Sequence, residues 1–192
     1  MELKHSGTVQ IETQRLLLRQ FVIDDAQNMY DNWASDDEVT KFLTWPSHPD
    51  VEETINVIKY WIGGYSTNQT YDWAVILKEI QQPIGSIGLL NINNSQLSCE
   101  IGYCIGKKYW GKGIIAEALI KIFGYLFDDV GFNRIEAKHD ILNPNSGKAM
   151  QKAGMSFEGT LREAGIDRQG QFYSCNIYSI LKSDWKTLYP HT

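Results

Sequence analysis

The hydrophobic and polar residues of this chain follow two alternating patterns, which predict strands and helices in succession. Runs rich in β-branched, aromatic and other apolar residues predict about seven strands, at residues 16–21, 72–78, 84–92, 97–105, 134–141, 155–162 and 172–181. Asn93-Asn94, between the third and fourth of these runs, is typical of a hairpin turn and predicts an antiparallel pair. The sequence therefore predicts a mixed, largely antiparallel, twisted sheet.

About four segments with helical periodicity lie between these strands and complete the prediction of an α+β fold. They comprise residues 24–33, a stretch that follows Pro49-Asp50, residues 113–131 and residues 146–153. Asp24-Asp25 at the start of the first helix can accept hydrogen bonds from backbone N–H groups that lack a partner within a helix. In the third helix the apolar positions form one broad stripe, which is typical of a helix with a buried face.

Length and composition predict one globular domain. The chain has 192 residues, of which 43% are hydrophobic, and this apolar content is sufficient for a continuous core. No repeat, low-complexity tract or linker-like stretch interrupts the sequence. We therefore expect a single domain over residues 1–192, with its core at about residues 11–185.

Charge and cysteine content argue against several classes of partner. The formal net charge is −5 and no block of Lys and Arg offers a surface for a nucleic-acid backbone. A mildly acidic surface suits a cationic acceptor such as an amine, although solubility alone would explain it. Cys99, Cys104 and Cys175 contain no C-x-x-C pair, and no apolar run is long enough to cross a membrane. We expect a cytoplasmic protein that binds neither nucleic acid, membrane nor metal.

Candidate chemistry is concentrated between Tyr109 and Ala116, where a glycine-containing turn opens an apolar helix. Gly111 and Gly113 allow backbone N–H groups to approach a ligand closely, and the helix N-terminus behind them favours an anion. Lys112 adds a positive charge to this turn. The segment suggests phosphate binding, although a tight turn with a solvated lysine would contain the same residues.

Two nucleotide-binding motifs fail at this segment. Residues 106–112 match the first seven positions of the pattern G-x-x-x-x-G-K, but Gly113 stands where a Ser or Thr would bind Mg²⁺. The dinucleotide fingerprint G-x-G-x-x-G also fails, since Ile114-Ile115-Ala116 follows the two glycines. A nucleoside triphosphatase is therefore disfavoured.

The chain resembles the GNAT superfamily of N-acetyltransferases, and within it the branch of RimJ/RimL-type ribosomal-protein N-terminal acetyltransferases. The resemblance covers about residues 11–185, nearly the whole chain. It rests on four segments that occur in order and with ordinary spacing: residues 12–19, residues 100–103 with 110–119, residues 143–146 with 152–155, and residues 157–162.

The resemblance implies that acetyl-CoA is the cosubstrate and that no metal takes part. Its pyrophosphate would bind the turn formed by Trp110, Gly111, Lys112, Gly113, Ile114, Ile115 and Ala116. Its pantetheine arm would pair with the strand at Tyr103, Cys104 and Ile105, and would contact Asn143 and Ser146. In the family motif Q/R-x-x-G-x-G/A, Ile115 replaces a small residue, so its side chain must point away from the pyrophosphate.

Two residues are candidates for proton transfer, because amide formation needs an uncharged amine and a proton for the leaving thiolate. We expect Glu100 to be the base, acting through a water, because strand alternation places it opposite Ile101 and Tyr103, toward a cleft or solvent. A surface strand residue would show the same pattern. Many relatives place an acidic tyrosine where this chain has Met150, which cannot donate a proton, so Ser146 or a water held by it is the candidate acid.

The sequence therefore predicts an acyltransferase that moves an acetyl group from acetyl-CoA to a primary amine. The resemblance favours the N-terminal amine of a protein, such as a ribosomal protein. A small-molecule amine is the alternative acceptor, with polyamines, aminoglycosides and peptide toxins as examples. A non-catalytic acyl-CoA sensor is the alternative of another class. A homodimer is compatible with each of these functions.

Overall fold

A computed structural model describes residues 2–190, which contain eight strands and six helices. The strands are β1 (Ile11–Glu12), β2 (Leu16–Arg19), β3 (Asp72–Leu77), β4 (Gln82–Asn93), β5 (Ser98–Ile105), β6 (Arg134–Asp140), β7 (Ser156–Ile166) and β8 (Phe172–Leu181). The helices are α1 (Ala26–Met29), α2 (Asp37–Thr40), α3 (Val51–Gly64), α4 (Ile114–Tyr125), α5 (Pro144–Lys152) and α6 (Lys182–Leu188).

The chain divides into two compact units, which interleave along the sequence. The first unit comprises His5–Leu89 and Tyr103–Ile114, and the second comprises the described residues of 1–4, 90–102 and 115–192. Strands β4 and β5 each contribute residues to both units. The expected single domain over residues 1–192 stays a prediction.

In the first unit, β1, β2, β3 and β4 follow one another as antiparallel neighbours. Helices α1 and α3 pack on a core that includes Trp33, Ile58 and Ile76. Helix α3 begins where the sequence predicts it, because the side chain of Asp50 accepts a hydrogen bond from the Glu53 N–H at 3.0 Å. Burial of the apolar face of α3 and this N-cap together fix the helix.

In the second unit, the strand order is β5-β6-β8-β7, with β5 and β6 parallel and the other pairs antiparallel. Helix α4 continues through a π-helical turn and ends at Gly131, whose φ of +97° favours glycine. Phe123, Phe127 and Trp185 are fully or almost fully buried, so α4 and α6 share a core. Across residues 2–190, no helix combines the length and apolar character that a membrane span requires.

The predicted α+β class and the mixed, largely antiparallel sheet are confirmed, although the prediction missed short elements. These are β1, α2 and α6, of two, four and seven residues. The first two are too short for a periodic pattern, and α6 follows β8 without a break. Asp25 does not cap α1 as predicted. Its carboxylate instead accepts two hydrogen bonds from Arg19, at 2.7 and 2.8 Å, and one from the Val22 N–H.

Candidate functional site

The glycine turn between β5 and α4 has the backbone conformation that an anion-binding turn needs. Gly111 and Gly113 have φ angles of +72° and +71°, which residues with a Cβ atom rarely adopt. A Cβ atom at Gly111 would meet nothing within 4 Å, so the space beside the Gly111 Cα atom is open. Within residues 2–190, neither glycine N–H donates a hydrogen bond. Both groups are therefore available to a ligand.

Side chains of the first unit hold this turn from both ends. The Trp110 indole N–H donates to the Ile105 carbonyl at 2.8 Å, which folds the turn back on the end of β5. The guanidinium of Arg15 donates to the Lys112 carbonyl at 3.1 Å. The ammonium group of Lys112 lies 5.6 Å from the centre of the Tyr109 ring, a distance typical of a cation–π contact. The turn is thus preorganised and carries positive charge.

Ile114, Ile115 and Ala116 form the start of α4 and are all buried. Ile115, which departs from the family motif, is only 6% exposed, so its extra bulk packs inside the protein. Its backbone N–H belongs to the first helical turn, where such groups lack a partner within the helix. The unusual side chain therefore does not block the polar face of this turn.

The end of β5 contains three of the residues predicted to contact the cofactor. Ile105 is buried, whereas Tyr103 and Cys104 are half-buried. The Cys104 Sγ lies 3.2 Å from the Ser86 Oγ, and burial raises the pKa of the Cys104 thiol. This thiol is protonated and hydrogen-bonded at neutral pH, which suits packing and argues against a nucleophilic role.

Glu100, the candidate base, is more strongly paired than a surface residue of a strand would be. Its Oε2 accepts hydrogen bonds from the Asn91 Nδ2 and the Lys138 Nζ, both at 2.9 Å. Its side chain is 13% exposed, and the hydrogen bond to Glu100 raises the pKa of Lys138. Among residues 2–190, no group donates to the second oxygen, Oε1. One oxygen is thus anchored, and the other can accept a proton directly or through water.

Asn143 and Ser146, the other predicted site residues, lie in the second unit at the start of α5. Asn143 is the N-cap residue, but its side chain makes no capping hydrogen bond. Its amide also has no partner elsewhere in residues 2–190, so a ligand can use it. Ser146 is half-buried, and its N–H donates to the Asn143 carbonyl at 3.1 Å. Met150 is 1% exposed, which confines it to packing.

Arg15, Asn91 and Lys138 act on the predicted site residues, yet the sequence patterns did not identify them. Arg15 and Lys112 are 97 positions apart, and Lys138 is 38 positions from Glu100. Tertiary packing and strand register bring such pairs together, and a single sequence carries little information about either. A signal existed only for Lys138, since a lysine within a strand is unusual unless its charge is paired.

Residues 2–190 contain no cluster of three or more His, Cys, Asp and Glu side chains arranged to hold a metal ion.

Comparison with known proteins gives a consistent match. Residues 15–156 match the family described as the acetyltransferase (GNAT) domain. The chain is 32% identical over 173 residues to the uncharacterized N-acetyltransferase p20 of Bacillus licheniformis, covering 90% of this chain and 96% of that protein. It is 30% identical over 103 residues to the [ribosomal protein uS5]-alanine N-acetyltransferase of Escherichia coli, covering 52% of this chain and 53% of that protein.

A solved structure shows the same fold. It is the microcin C7 self immunity acetyltransferase MccE in complex with acetyl-CoA and AMP, with a TM-score of 0.81 and 22% sequence identity. The match covers 94% of this chain and 98% of that one. At this level of identity the likeness is one of fold.

Proposed function

Because the chain belongs to the GNAT acetyltransferase family and is an N-acetyltransferase, we propose that it acetylates the N-terminal amine of a protein, such as a ribosomal protein, with acetyl-CoA as donor. The observation that supports acetyl-CoA as the donor is the turn at Gly111 and Gly113. Two left-handed glycines, whose N–H groups have no partner within residues 2–190, lie at the start of a helix of 12 residues. This arrangement suits an anion of the size of a pyrophosphate.

Residues of each unit would suit one part of acetyl-CoA. The N–H groups from Gly111 to Ala116 would hold the pyrophosphate, and Lys112 would add charge. The backbone from Tyr103 to Ile105 would contact the pantetheine arm, as would the Asn143 amide, which has no partner within residues 2–190. When bound, the thioester supplies an activated acyl group with a thiolate as leaving group.

The residues of the chain would then handle two protons. Glu100 would take a proton from the attacking amine, directly or through a water at Oε1, while Asn91 and Lys138 keep Oε2 in place. Ser146, or a water held by it, would return a proton to the leaving thiolate. A protein α-amine has a pKa near 8 and is partly uncharged at neutral pH, so a carboxylate of modest basicity is sufficient.

The choice of a protein N-terminus is supported by one named relative. The Escherichia coli protein acts, by its name, on an alanine of ribosomal protein uS5, and its match covers half of this chain. A small-molecule amine remains the alternative acceptor. A lysine side chain is a poorer acceptor, because its pKa of about 10.4 leaves little free amine at neutral pH.

Thiol release from acetyl-CoA tests the proposal against both alternatives. The purified chain is incubated with acetyl-CoA and, in separate reactions, short peptides with free N-termini, polyamines and aminoglycosides. We expect release to depend on a peptide with a free α-amine. Release with the small amines alone would assign the alternative acceptor, and tight binding of acetyl-CoA without release would assign a sensor.

A further inference from the structure

His139 lies on β6 and is 8% exposed, yet the proposed reaction does not use it. Its Nδ1 atom lies 2.7 Å from the carbonyl oxygen of Asp140. Because a carbonyl oxygen can only accept, Nδ1 carries the hydrogen of this bond. In the neutral imidazole, Nε2 is then an acceptor without a hydrogen. The bonding partner fixes both the tautomer and the orientation of the ring.

The Asp140 carbonyl also holds the turn that leads to the predicted cofactor residues. The Asn143 N–H donates to the same oxygen at 2.8 Å, and the Leu142 N–H donates to the Asp140 carboxylate at 2.8 Å. The next link is the Ser146 N–H, which donates to the Asn143 carbonyl at 3.1 Å. A continuous chain of hydrogen bonds therefore runs from His139 through Asp140 to Asn143 and Ser146.

The opposite side of the imidazole packs closely against α5 at Gly147. A Cβ atom placed on Gly147 would lie 2.6 Å from the His139 Nε2 and 3.2 Å from the Tyr178 hydroxyl oxygen. The rings of His139 and Tyr178 are in contact, with centroids 5.6 Å apart. The helix can approach the ring this closely only because residue 147 is glycine. His139 is thus held between the turn on one side and α5 on the other.

We propose that His139 is a positioning residue, which sets the places of Asn143 and Ser146 and thereby the affinity for acetyl-CoA. The inference rests on the proposed function, in which Asn143 contacts the pantetheine arm. His139 acts through the Asp140 carbonyl and the Gly147 backbone, and needs no contact with the ligand. An apolar residue could fill the same space, but it would leave one lone pair of the Asp140 oxygen without its donor.

Two conservative variants of His139 distinguish the effect of its hydrogen bond to the Asp140 carbonyl from the effect of its packing. In His139→Asn the amide nitrogen can take the place of Nδ1, whereas in His139→Gln it can take only the place of Nε2. We measure the Kd for acetyl-CoA by titration calorimetry, together with kcat and the KM for each substrate. Circular dichroism and thermal unfolding verify that each variant is folded.

We expect His139→Asn to keep the acetyl-CoA Kd within about twofold of the wild type. His139→Gln and His139→Ala should raise the Kd and the KM for acetyl-CoA by roughly three- to tenfold, the equivalent of one ordinary hydrogen bond. The KM for the acceptor should not change. A merely structural role would lower the active fraction, and hence the apparent kcat, without this selective change in KM.

Gly147→Ala provides a second approach that does not alter the histidine. Its Cβ must displace the imidazole, so we expect a comparable rise in the acetyl-CoA Kd. In the His139→Ala background the same substitution should cost little more, because the ring that it would displace is gone. Additive effects of the two substitutions would contradict the arrangement.

The outcomes separate this inference from the proposed function. If the wild type binds acetyl-CoA and the Gln variant binds it equally well, the inference is wrong and the proposed function stands. If the Asn variant loses as much affinity as the Gln variant, the hydrogen bond at Nδ1 is not the cause and the inference is again wrong. A wild type that does not bind acetyl-CoA overturns both. If the Ala variant does not fold, the Asn and Gln variants decide.

Discussion

Replacement of Gly111 by alanine tests the glycine turn most sharply. An L-residue at a φ of +72° costs about 1–2 kcal/mol relative to glycine, and at Gly111 no steric clash adds to this cost, because a Cβ atom there meets nothing within 4 Å. Alanine must therefore either retain the strained backbone, with its Cβ on the open side of the peptide, or rotate its N–H away. Rotation weakens binding of an anion to the turn, because binding must then restore the strained conformation.

We expect Gly111→Ala to raise the Kd for acetyl-CoA about five- to thirtyfold, the range that corresponds to 1–2 kcal/mol. Titration calorimetry measures this change, and urea unfolding measures the accompanying change in stability. Gly170→Ala is the matched control, since Gly170 has a φ of +80°, an equally open Cα side and no place among the predicted site residues. It should lose a similar amount of stability and no affinity.

Gly111→Asn tests whether strain is the cause, because asparagine tolerates the left-handed region better than alanine does. We expect it to recover part of both the stability and the affinity that alanine loses. The reasoning would be refuted if Gly111→Ala and Gly170→Ala gave the same Kd for acetyl-CoA at equal losses of stability. The turn would then be a tight connection and not a ligand site.

Four further predictions follow from contacts in the structure. Glu100→Gln should lower kcat most below about pH 8, where the α-amine is mainly protonated, and an unchanged pH profile would remove Glu100 as the base. Arg15→Ala should raise the KM for acetyl-CoA about two- to tenfold by releasing the Lys112 carbonyl, whereas an unchanged KM would show that the turn holds without it. Burial raises the pKa of Asp72 from 3.8 to about 6, so the folded state loses stability as the pH rises through this interval. Asp72→Asn should therefore stabilise the protein at pH 8 and give less benefit at pH 4, as measured by urea unfolding. A hydrogen bond from Arg134 lowers the pKa of Glu158 from 4.5 to about 2, so the contribution of Glu158 to stability is present above pH 4.5 and lost as the pH falls toward 2. Glu158→Gln should therefore cost stability at pH 7 and little at pH 2. Equal losses at both pH values would contradict the pairing.

The sequence predicted those features that depend on neighbouring residues. Helix α3 begins after Asp50 because the N-cap and the first turn are encoded within four positions. The glycine turn is equally local, and its two positive φ angles are ones that glycine adopts readily. The departure at Ile115 was also visible in the sequence, and its burial agrees with the requirement that the side chain point away from a ligand.

Features that depend on which side chains pair with one another could not be predicted in the same way. Glu100 was expected to face a cleft or solvent, but Asn91 and Lys138 on two other strands hold one of its oxygens. Asp25 was expected to cap a helix, but a bidentate pair with Arg19 takes its carboxylate. The partners of Glu100 lie on other strands, whereas Arg19 is only six positions from Asp25 and occupies its carboxylate with two charge-assisted hydrogen bonds.

The most direct test of the proposed function is a competition between two kinds of amine. The chain is incubated with acetyl-CoA and two peptides of the same sequence containing one lysine, of which one has a free N-terminus and the other a blocked N-terminus. Mass spectrometry then locates the acetyl group. We predict one acetyl group on the α-amine of the free peptide and none on the blocked peptide. Acetylation of lysine in both peptides, or of neither peptide while acetyl-CoA is bound, would contradict the proposal.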